Sequence, residues 1–98
     1  MAEYELEAVV WLYPGKGGWH FVTLPAELAD EIRARHAGAH RAFGSVRVRA
    51  SIGSSTWSTS LFADAKSSSY ALPIKADVRR RERLEAGDVA TVRIDVDG

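Results

Sequence analysis

Cysteine is absent from this chain. That absence excludes a disulfide framework, a thiolate nucleophile and any cysteine-containing zinc site. Proline is sparse, with three in 98 residues, so each one marks a specific local event in the backbone. Net charge is also missing, because 13 basic side chains offset 13 acidic ones. Domains devoted to nucleic acid are usually clearly basic, whereas the isoelectric point here is about 6.8. Long apolar runs are lacking too. The strongest, Ala8 to Tyr13, is far short of the roughly 20 residues a membrane helix needs. The opening residues Met1 to Glu7 are acidic, where a secretory signal would be basic. Together these features predict a cytoplasmic protein with no membrane segment.

Apolar material is plentiful. Hydrophobic residues make up 46% of the chain, with three each of Trp, Tyr and Phe. A single domain spanning 1–98 should then bury roughly 60–70% of its unfolded surface. The charges fall in bands. Residues 1–31 carry −5, residues 32–83 carry +8 and residues 84–98 carry −3. Banding of this kind allows a basic face after folding, although ordinary solvation of a surface is the simpler explanation.

Residues 4–13 have the β-branched and aromatic content of a strand. The run Pro14-Gly15-Lys16-Gly17-Gly18 turns the chain, and Trp19 to Leu24 returns as the second arm of a hairpin. Pro25 favours a first helical turn and keeps Leu24 extended, so a helix is expected from Pro25 to about Arg35, ended by Gly38. Residues 44–52 alternate, with Val46, Val48, Ala50 and Ile52 facing one way and Arg47, Arg49 and Ser51 the other. This is the pattern of a half-buried antiparallel strand. Gly53-Ser54-Ser55 turns, and Thr56 to Phe62 returns. Tyr70-Ala71-Leu72-Pro73 repeats the strand-to-helix passage, with a short basic helix over about 75–83. Val89 to Val96 is a last strand. The two Leu-Pro segments, each followed by a helix, a glycine and a strand, read as an internal strand–helix–strand duplication. The expected core is Val9, Trp11, Phe21, Leu24, Leu28, Ile32, Val46, Val48, Ile52, Trp57, Leu61, Leu72, Val92 and Ile94.

Five stretches in this order look familiar: Trp19-x-Phe21-Val22-x-Leu24-Pro25, Gly44-x-Val46-x-Val48, Ile52-Gly53-x-x-x-Trp57-x-x-Ser60-Leu61-Phe62, Tyr70-x-Leu72-Pro73-Ile74-Lys75-x-x-Val78-Arg79 and Gly87-Asp88. The chain resembles the domain-of-unknown-function 1905 family over essentially its whole length. That resemblance implies a mostly β fold with two short helices: a six-stranded double-split β-barrel, or pseudobarrel, related in architecture to AbrB-type swapped-hairpin domains. It implies no activity, since the family has none established.

Candidate chemistry is thin. Gly15-Lys16-Gly17-Gly18 lacks the spacing and following helix of a phosphate-binding loop, and reads as a hairpin turn. His36-x-x-x-His40 has the spacing of two metal ligands on a helix, but Gly38 lies between them and no third ligand is evident. No metal and no cofactor are expected. A serine-histidine-acid hydrolase would need a nucleophile elbow, and Gly53-Ser54-Ser55 lies in a turn with no helix after it. No catalytic residue is assigned, and a non-enzymatic domain is expected. Serine supplies eight of the twenty residues from Ser51 to Tyr70. Ser58 and Ser60, with Tyr70, Lys75 and Arg79, form the candidate ligand site: hydroxyls to orient a small anionic ligand, cations to pair with it. The expected partner is thus a small molecule or another protein, with the domain itself a monomer or weak homodimer. The alternative is nucleic-acid binding through Arg47, Arg49, Arg79, Arg80, Arg81 and Arg83.

Overall fold

Alternation of apolar and polar residues accounts for most of the architecture. The structure, a computed structural model, describes residues 2–36 and 45–96. In chain order the elements are β1 (Ala2–Val9), β2 (Trp11–Leu12), β3 (His20–Thr23), α1 (Ala26–Arg35), β4 (Val46–Ile52), β5 (Ser55–Asp64), β6 (Ser69–Ile74), α2 (Ala76–Glu82) and β7 (Val89–Val96). The strands form one seven-stranded sheet in the order β1-β7-β4-β5-β6-β3-β2, and every pairing is antiparallel. No described helix is long and apolar enough to cross a membrane.

The two edges of the sheet, β1 and β2, are consecutive pieces of one extended stretch. Its first part pairs with β7 and its second with β3, so the sheet curls into a half-barrel. The corner is Val10, which is 1% exposed. Its N–H donates to the Asp88 carbonyl at 2.8 Å, and its carbonyl accepts from Gly87 N–H at 2.8 Å. Two residues thus oppose one, the arrangement of a β-bulge, which bends and twists a ladder locally. Gly87 takes φ +100° there, a conformation costly for any residue with a Cβ. The expected single strand over 4–13 is therefore divided at Val10, and the count is seven strands where six were expected.

The inward faces fill the core. Val46, Val48, Ala50 and Ile52 on β4 meet Trp57 and Leu61 on β5 and Val92, Ile94 and Val96 on β7. Ile32 of α1 and Val78 of α2 are fully buried against the same cluster. Leu24 and Leu72 are buried as expected, and Leu28 packs at the margin. Three core expectations need correction. Val9 is 53% exposed, and Trp11 and Phe21 are only half-buried. Val10 and Val22 take the interior positions. Successive strand side chains point to opposite faces, so once Val10 and Val22 turn inward the aromatics beside them must turn out.

The two proline passages also differ. Pro25 is the N-cap of α1, with φ −57° and ψ 147°, and its carbonyl accepts the first helical bond, from Ala29 N–H at 3.0 Å. Pro73 does not start a helix. It lies within β6 opposite Phe21, and α2 begins three residues later. Leu24 N–H donates to the Tyr70 carbonyl at 3.0 Å, so hydrogen-bonded pairs recur at every second position from there. Phe21 and Pro73 fall on a non-bonded pair, and the β5–β6 ladder has ended at Ala71. The missing N–H of Pro73 leaves no gap in either ladder. Gly38 lies outside the described residues; α1 reaches Arg35, with His36 as its C-cap.

Candidate ligand-binding cleft

The outward face of β2, β3, β5 and β6 carries an aromatic cleft. Its floor is small, formed by Ala71 and Pro73 on β6. One wall stands on β3, where Phe21 pairs with Pro73, and the other on β5, where Phe62 pairs with Ala71. Small side chains between large ones leave a trough of about 690 Å³. That volume lies within the roughly 300–1,000 Å³ typical of small-molecule sites.

Phe21 is the hub of the aromatic wall. Its ring centre lies 5.1 Å from that of Trp11, 6.1 Å from Tyr13 and 6.5 Å from Trp19. The Trp11 and Trp19 planes are tilted only 29° and 20° from it. The Trp11 indole N–H donates to Thr23 Oγ1 at 2.9 Å, which fixes that ring. Trp19 is 60% exposed and Phe62 48%. Ordinary surfaces carry large apolar side chains singly; a contiguous group of them marks an interaction site. Gly17 makes room for Trp19, since a Cβ there would stand 3.1 Å from the indole Cδ1.

A second, smaller concavity of about 360 Å³ adjoins the first. Trp19 lines both, and the floor continues along β6 from Pro73 in one to Ile74 and Lys75 in the other. Lys75 and Arg79 supply positive charge here, one helical turn apart. Asp77 also lines it, but its carboxylate is engaged by Arg80. The backbone of Gly17 and Gly18 closes the far side. At the other end of the trough, Asp64 accepts from Lys66 N–H and from Ser67 Oγ, each at 3.1 Å. The joined cleft therefore has Lys75 and Arg79 at one end and the adjoining Asp64 and Lys66 at the other.

Of the five residues expected to form a ligand site, only Lys75 and Arg79 line this pocket. Ser58 and Ser60 stand on β5 opposite Arg49 and Arg47, where Arg47 reaches Ser60 Oγ at 3.4 Å. Tyr70 is 1% exposed. It faces inward from β6, and the Arg33 guanidinium lies 5.2 Å from its ring centre. Burial pushes the Tyr70 phenol above its ordinary value, and Arg33 offsets part of that. The alternative arginines are also divided. Arg47 and Arg49 are exposed on β4, whereas Arg79, Arg80, Arg81 and Arg83 belong to α2 and its C-terminal turn. His36 Nε2 is 3.1 Å from the Tyr4 hydroxyl. His40 lies outside the described residues, and among the described ones no cluster could hold a metal.

The aromatic cleft was missed in the sequence. Its signal is an aromatic at every second position on both arms of one hairpin: Trp11 and Tyr13, then Trp19 and Phe21. Such a face can turn to either side of a sheet, and the expected core holds two of these rings, Trp11 and Phe21.

The fold and cleft define a small β half-barrel domain with an aromatic cleft on its surface. No curated protein matches the chain. Residues 7–94 match the family described as Domain of unknown function (DUF1905), and the chain belongs to that family.

Proposed function

We propose that this domain is a binding module that takes a small anionic ligand in the joined cleft, with Lys75 and Arg79 pairing with its charge. The observation that carries this reading is that Trp19 lines both the aromatic trough and the cationic pocket. An apolar surface with a few convergent polar groups is the usual composition of a small-molecule site. Ser58 and Ser60 are left out of the proposed site because they line neither concavity, and Tyr70 because it is buried in the core. The double-split form of the barrel belongs to the same reading. It is supported by the antiparallel pairing of β3 with β6 and of β4 with β7, the strands on either side of each helix. Cytoplasmic placement, also proposed, rests on the lack of cysteine.

A thermal-shift panel of small carboxylates and phosphates tests this. At least one anion should raise the melting temperature of the parent, and a Lys75→Ala/Arg79→Ala variant should lose the response. No responding anion, or an equal response in the variant, overturns the proposal. A gel shift that weakens steeply with salt would favour nucleic acid instead.

A further inference from the structure

Resting on that reading, we infer that the ligand couples a flat heteroaromatic ring to its anionic group, as a nucleoside monophosphate does. Three features of the cleft point to this class. First, Trp11, Phe21 and Trp19 form one stacked row, with the tryptophan planes 29° and 20° from that of Phe21. Trp19 ends that row and is 60% exposed, so a planar ring can stack on it and extend the row, and stacking of this kind accepts any base. Second, two cations are grouped at one end, whereas the single cation at the other, Lys66, stands beside the Asp64 carboxylate. Lys75 and Arg79 sit beyond Trp19, so a ring on the shelf brings an attached phosphate toward them. Third, the opposite end carries Asp64. Its carboxylate, beside Lys66, can accept from a ring N–H or an exocyclic amine. The cleft thus has a direction, with the ring toward Asp64 and the phosphate toward Lys75. A plain apolar partner would use the shelf and leave both charged ends idle. A sugar phosphate would use the cations and leave the stack uncovered.

Calorimetric titration at low salt tests the assignment, with the four ribonucleoside monophosphates, adenosine, ribose phosphate and inorganic phosphate as probes. At least one nucleotide should bind on the order of tenfold or more tighter than both adenosine and ribose phosphate, since each of those lacks one half of the recognition. Trp19→Ala should erase the advantage of nucleotide over ribose phosphate. Lys75→Ala/Arg79→Ala should erase its advantage over adenosine. Trp19 and Lys75 are exposed and Arg79 is half-buried on α2, so these variants should fold, and circular dichroism will verify it. If ribose phosphate binds as tightly as every nucleotide, the ring assignment fails while the anion site stands. If none of the probes binds, the ring assignment and the anion site both fail. A single-stranded oligonucleotide bound far more tightly than any mononucleotide would overturn the small-ligand assignment.

Discussion

Tyr70 shows how one side chain ties a surface residue of α1 to the core. Its ring is buried on the inner face of β6, while Arg33 stands over it and donates to the Ser68 carbonyl at 2.6 Å and to Asp30 at 2.9 Å. Beside it the Ser69 hydroxyl, also buried, donates to the Leu24 carbonyl at 2.7 Å. Burial disfavours the phenolate, so the folded chain holds the Tyr70 proton more tightly than the unfolded chain does. The sign follows from linkage: this contribution to stability is complete below about pH 10 and is lost as pH climbs through the raised folded value. The urea midpoint of the parent should therefore fall more steeply above about pH 10 than that of Tyr70→Phe. Parallel midpoints across that range would show that burial does not hold the phenol neutral. At this scale the sequence is legible where one face alone is apolar. Val46, Val48, Ala50 and Ile52 alternate with arginine and serine, and all four are buried. It is illegible where both faces are apolar, as at Val9, Val10 and Trp11. Periodicity then gives the phase of the strand but not which side meets the core.

Among the elements, α2 was placed by sequence within about a residue at each end, but its start has a different cause from the one expected. The strand before it runs through Pro73 to Ile74, and Lys75 is the N-cap. A proline in a strand is tolerated where its nitrogen faces no partner, and only the pairing register shows that it does here. The helix ends on Arg83 in the left-handed region, with φ 55° and ψ 48°. Leu84 N–H returns to the Arg79 carbonyl at 2.9 Å and Arg83 N–H to the Arg80 carbonyl at 3.3 Å, the two bonds of a Schellman turn. Glycine favours that position and arginine does not. Arg83→Gly should raise stability by about 0.5–1 kcal/mol, read from the urea midpoint. A loss of stability would show that the arginine side chain makes a contact worth more than the strain. Because Arg83 lies outside the proposed cleft, ligand responses should not change.

At the scale of the molecule, closure depends on one corner. Val10 secures the stretch that serves both sheet edges, with both of its backbone groups bonded across the bulge. Two residues on, Leu12 pairs opposite His20. Tyr13 N–H donates to the Trp19 carbonyl at 2.8 Å, so Leu12 falls on a non-bonded pair and its N–H points to the open edge. In native-state hydrogen exchange, the Val10 amide should open only with the whole fold, whereas the unbonded Leu12 amide should exchange without any opening. The expected rate difference is on the order of a thousandfold or more. Comparable rates would mean that the corner opens independently and that the curled sheet is not one cooperative unit.

Ala2 pairs with Val96 on adjacent strands, so anything attached before the first strand or after the last leaves from one corner. That corner is nine residues along the strand from Trp11, where the aromatic cleft begins. An affinity handle, a fluorescent protein or a second domain could therefore be tethered to either end while the cleft stays open to solvent. The same domain fixed to a sensor surface by either end would present its aromatic cleft outward.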